Sequence, residues 1–135
     1  MSLIDGKHAA AALGPDIARI FLENAEPLGV EEARELVPLV DVHMEAAYKI
    51  RSSMHRGIDV MLAQKLCTAC KDLLAAYPLL DAKGRAAVVG AVRYFTKTRD
   101  AANDLSPEGG FEDDALVVNY VIALTGSGIP PVRIE

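Results

Sequence analysis

The chain has 135 residues, a net charge of −5 and a pI of about 5.2, a length that reads as one domain (1–135) able to bury close to two thirds of its unfolded surface without a staple. Hydrophobic residues make up 51%, many of them alanine, while aromatics are only 5% and Trp is absent; this favours close-packed helices over a β-sandwich. The acidic balance and the lack of a basic stripe exclude a nucleic-acid binder that works by neutralising phosphates.

Residues 1–13 show no clear period and read as frayed or as a short helix. Gly14-Pro15-Asp16 is a helix start, and Ile17, Ile20 and Phe21 follow at helical spacing to give a helix of about 15–25, closed by Pro27 and Gly29. Val30-Glu31-Glu32 opens the next helix, with its acids in the first turn. Leu36, Leu39, Val40, His43, Met44, Ala47 and Ile50 form its apolar stripe. Pro38 lies inside that pattern and predicts a kink, or a split near Val37. A break is expected at about 52–57.

A third helix, about 57–77, carries Ile58, Met61, Leu62, Leu66, Ala69 and Leu73, and Pro78 closes it. Its Cys67-Thr-Ala-Cys70 motif sits in mid-helix with no strand before it, so buried core thiols are expected rather than a redox pair or half of a zinc site. Asp81 is the N-cap for a fourth helix, about 82–99, whose Ala86, Ala87, Gly90 and Ala91 predict a tightly approached neighbour. The fifth helix, about 112–125, is apolar nearly all round apart from Asn119 and is expected at the bundle centre. Ala115 to Val132 is uncharged, but its apolar part stops near Leu124, short of the roughly 20 residues a bilayer span needs. Gly126 and Gly128 end the helix, and IPPVRIE is an extended tail that can lie over a neighbouring surface. The fold class is therefore all-α: one bundle of about five helices, with a hairpin of the fourth and fifth.

The connection inside that hairpin is the most unusual stretch. Tyr94 to Asp114 holds Asp100, Asp104, Glu108, Glu112, Asp113 and Asp114, a Ser-Pro turn and a Gly-Gly pair. The spacing Tyr94, Asp100, Asp104, Pro107, Gly110, Asp113-Asp114 resembles the YkvA-like family over roughly residues 82–124. Thr98 and Asn103 stand where that family has its first two prolines. The resemblance implies a helical hairpin in a small domain found in many bacterial proteins, with no known activity.

Read from the residues themselves, these acids cap helix ends and fix turns, since carboxylates accept hydrogen bonds from the open N–H groups of a first turn. The sharper reading is a Ca²⁺ or Mg²⁺ site built from Asp100, Asp104, Asp113 and Asp114. Residues 104–112 even place acids or Ser at the first, third, fifth and ninth positions of a Ca²⁺ loop, with Gly at the sixth, although Ala115 takes the twelfth, where a Glu belongs. A small hydrolase using a metal-activated water is a further alternative. His43 falls on an apolar stripe and reads as a satisfied, half-buried residue, not as a ligand or base, and His8 and His55 read as surface residues. No nucleophile frame or phosphate loop is present. The expected function is a non-enzymatic, cytoplasmic interaction or scaffold module with a protein partner or a second copy of itself.

Overall fold

Asp5 opens the first helix by accepting the Lys7 and His8 backbone N–H groups at 2.9 and 3.4 Å. That cap starts α1, Gly6–Leu13, the short helix left open by the aperiodic sequence. The computed structural model describes the backbone of residues 4–54, 60–96 and 111–133, and the side chains of these except 47–54, 60, 111 and 112. Helix α2, Pro15–Asn24, begins with its proline at the first position, where the missing N–H costs nothing. After the turn at 25–29 come α3, Val30–Arg34, and α4, Leu36–Met54. Helix α5 is Val60–Ala76, followed by a 3₁₀ turn at Tyr77–Leu79; α6 is Ala82–Thr96 and α7 is Phe111–Thr125.

The all-α expectation holds, and no strand occurs among the described residues. Among the described residues the helix count is higher than about five: six helices have eight residues or more, with the five-residue α3 beside them. One reason is Pro38. The chain splits near the expected Val37, two residues earlier at Glu35, which leaves Pro38 third in α4. There its absent N–H falls among the first four, which have no partner inside a helix in any case, so the proline starts α4 instead of kinking it. Asp81 caps α6 as expected, its carboxylate accepting the Gly84 N–H at 2.8 Å.

Helix α6 is the most deeply set element. Ten of its residues are buried, including the run Ala86–Val92, and α7 makes the most extensive contact with it. The central position expected for α7 thus belongs more fully to α6; α7 turns Asp113, Leu116 and Ala123 outward. The small residues of α6 bring α2 close. A Cβ on Gly90 would lie 2.8 Å from Phe21 Cε1 and 3.0 Å from Ala25 Cβ, so only glycine permits this approach. On α4 the buried face is Leu36, Val40, His43 and Met44, whereas Leu39 is 49% exposed and leaves the expected stripe. Among the described residues no helix is long and apolar enough to cross a membrane.

Candidate functional site

Of the four acids proposed as cation ligands, Asp100 and Asp104 lie outside the described residues, as does most of the loop-like stretch at 104–115. The other two part company: Asp113 is exposed, while Asp114 is fully buried. Neighbours on a helix point about 100° apart, so one faces solvent when the other faces the core. Among the described residues no three His, Cys, Asp or Glu side chains are grouped to hold a metal ion.

Asp114 reaches the region of the two thiols. Burial pushes the Cys70 thiol well above its ordinary range, and the negative charge of Asp114 adds to this. Cys67 is also raised by burial, opposed by Lys71 and reinforced by Asp41; these two charged residues pair across α5 and α4. Thiols held protonated in an apolar setting are poor nucleophiles and poor metal ligands, and both cysteines are free and buried, as expected. His43 is buried with its ring edge-on to Phe95 at 4.6 Å between centroids. His8 is exposed, yet its Nδ1 lies 2.7 Å from the Tyr120 hydroxyl, which ties α1 to α7. His55 lies outside the described residues.

A different set of residues forms a concave surface. Helix α7 ends at Thr125, whose hydroxyl donates back to the Val121 carbonyl at 2.9 Å. Gly126 and Gly128 then take left-handed φ values of 60° and 78°, a conformation that terminates a helix and redirects the chain. The following segment, 127–133, forms neither helix nor strand and lies as a strap against α7. Asn119, the single polar residue in the apolar run of α7, grips it from both sides: Nδ2 donates to the Val132 carbonyl at 2.8 Å, and Oδ1 accepts the Val132 N–H at 2.6 Å. An amide can do this because it carries donor and acceptor on one planar group. Val132 is buried at this anchor, and Ile129 packs against the core.

Between the strap and α5 an open cleft of about 480 Å³ remains. Its floor is one stripe of α5, Met61, Gln64, Lys65, Thr68, Ala69 and Asp72, and its wall is Ile129 to Arg133. Met61 is 68% exposed there. The volume falls within the roughly 300–1,000 Å³ range of ligand-binding clefts. The tail was foreseen as lying over a neighbouring surface, but the cleft was not. Its one signal in the sequence is Asn119, a lone amide in a helix otherwise fit for full burial. Comparison with protein-family models, with curated proteins and with solved structures finds no match to this chain.

Proposed function

We propose that this chain is a non-enzymatic helical interaction module that takes an extended, apolar peptide segment of a protein partner along the α5–α7 surface. The observation that supports it is the Asn119 grip on Val132 beside an open cleft. A helical face that pairs with the main chain of an extended segment through a side-chain amide supplies both elements of peptide recognition: main-chain hydrogen bonds for affinity and side-chain pockets for selection. The net negative charge suits a soluble, cytoplasmic protein, and the YkvA-like resemblance supports a bacterial one. Kinship with the YkvA-like domains, carried by Tyr94 and the spaced acids, belongs to the same proposal.

The test is chemical-shift mapping with short peptides of the pattern apolar-Pro-Pro-apolar and with charged helical peptides as controls. Saturable shifts at Met61, Lys65, Ala69 and the Asn119 side-chain amide, seen only with the first set, are expected. No shifts, or shifts confined to other faces, would remove the reading.

A further inference from the structure

We propose that the strap at 127–133 is an intramolecular competitor for that groove, so that the module is held closed by this segment after α7 until a partner's segment replaces it. The inference rests on the peptide-groove reading above and adds its regulation.

Three features of the strap set it apart from a segment that merely completes the core. Its attachments are few: Val132 is the buried anchor with both of its backbone hydrogen-bonding groups taken by Asn119, Ile129 packs against the core, and the exposed Lys65 Nζ reaches the Arg133 carbonyl at 3.5 Å. Its root is a hinge. The Thr125 hydroxyl closes the last turn of α7, and the two left-handed glycines follow at once, so the strap can swing away without unwinding the helix. Its fit is incomplete, since a cleft of about 480 Å³ stays open between it and α5.

The chemistry of the strap also keeps the released state accessible. Pro130 and Pro131 have no N–H and hold φ near the polyproline value, so their backbone is as well satisfied in water as on the protein. A partner segment of the same kind, apolar with prolines ahead of a buried branched residue, would present the same carbonyl and N–H to Asn119. It must then compete with a tethered ligand whose effective concentration, over so short a linker, is of millimolar order. The apparent affinity for a partner is lowered by the fraction of molecules in which the strap is closed.

In the whole 135-residue chain, Val132→Asp removes the anchor while keeping the α5 floor and Asn119. A fluorescent peptide with the sequence of residues 127–133 is titrated into wild type, into Val132→Asp and into Val132→Asp/Asn119→Ala, each checked by circular dichroism. At least about tenfold tighter binding to Val132→Asp than to wild type is expected, together with loss of that gain in the double variant and no binding of a peptide carrying Asp in place of the valine. Equal, Asn119-dependent binding to wild type and Val132→Asp would overturn the competitor role and leave the peptide-groove reading standing. Binding to none of the proteins would overturn both. If Val132→Asp fails to fold, the milder Val132→Ser variant is used for the same comparison. Loss of cooperative melting in both variants overturns the proposal, because a segment on which folding depends is not a detachable competitor.

Discussion

The Tyr77 hydroxyl and the backbone of Leu28 close a two-way hydrogen-bonded pair: the hydroxyl accepts the Leu28 N–H and donates to the Leu28 carbonyl, each at 2.7 Å. Tyr77 is 1% exposed and stands 49 residues further along the chain, so this one contact pins the α2–α3 connection to the turn after α5. Tyr77→Phe keeps the ring and leaves both Leu28 groups without the hydroxyl. A loss of about 1–3 kcal/mol is expected, read as a lower urea midpoint with an unchanged slope.

Gly90→Ala sets two effects against each other. Alanine in a helix interior gains about 1 kcal/mol over glycine, but the new methyl would sit 2.8 Å from Phe21 and 3.0 Å from Ala25. Phe21 is fully buried and cannot swing away, and overpacking costs about 1–3 kcal/mol. Net destabilisation is therefore expected. The double variant Gly90→Ala/Phe21→Leu should recover part of it, giving a coupling that a double-mutant cycle measures directly; strict additivity would show that the α2–α6 approach is not set by this pair.

How much of this was legible beforehand depended on whether the signal was local. Pro15, Asp81 and the Gly126–Gly128 pair act on the nearest turn of backbone, and they mark α2, α6 and the end of α7 within a residue or two. The small-residue run in α6 also announced its close neighbour, though not that Phe21 would be the residue filling the space. Helix α1 had no usable period because it is held by distant contacts, such as His8 with Tyr120 across 112 residues. Leu39 was misplaced because a stripe of period 3.6 allows two adjacent faces, and packing against α5 and α6 selects the one with Val40, His43 and Met44. Asn119 was conspicuous, but its partner Val132 is set by the turn after α7, which no periodicity encodes.

Cys70 makes stability depend on pH in the alkaline range. Its thiol is buried and raised above the ordinary value of 9.0, first by burial and then by Asp114. Below that value the thiol is protonated in both folded and unfolded chains. Above it the unfolded chain releases the proton and the folded one keeps it, so stability falls as pH rises, by up to about 1.4 kcal/mol per pH unit for one full proton. Tyr120 is raised in the same direction by burial, so the Cys70 share must be isolated by substitution. Melting from pH 7 to 10.5 should show a shallower decline in Cys70→Ala than in wild type, even though the variant is less stable at neutral pH. Parallel profiles would mean that Cys70 ionises in the folded chain.

The acidic connection offers the sharpest choice between capping and a cation. Asp113 is the third residue of α7 and exposed, placed to interact with the open N–H groups and the positive end of the helix, worth about 0.3–1 kcal/mol at low salt. Asp113→Ala should lower stability by that amount, the loss should shrink as salt is raised, and it should be the same with EDTA as with millimolar Ca²⁺, Mg²⁺ or Mn²⁺. A cation bound by the native state predicts otherwise, because a ligand that binds only the folded chain raises the melting temperature progressively with concentration. Wild type melted in EDTA and then in each metal should show no such rise. A rise that disappears in Asp113→Ala and in Asp100→Ala would instead establish the acids as ligands.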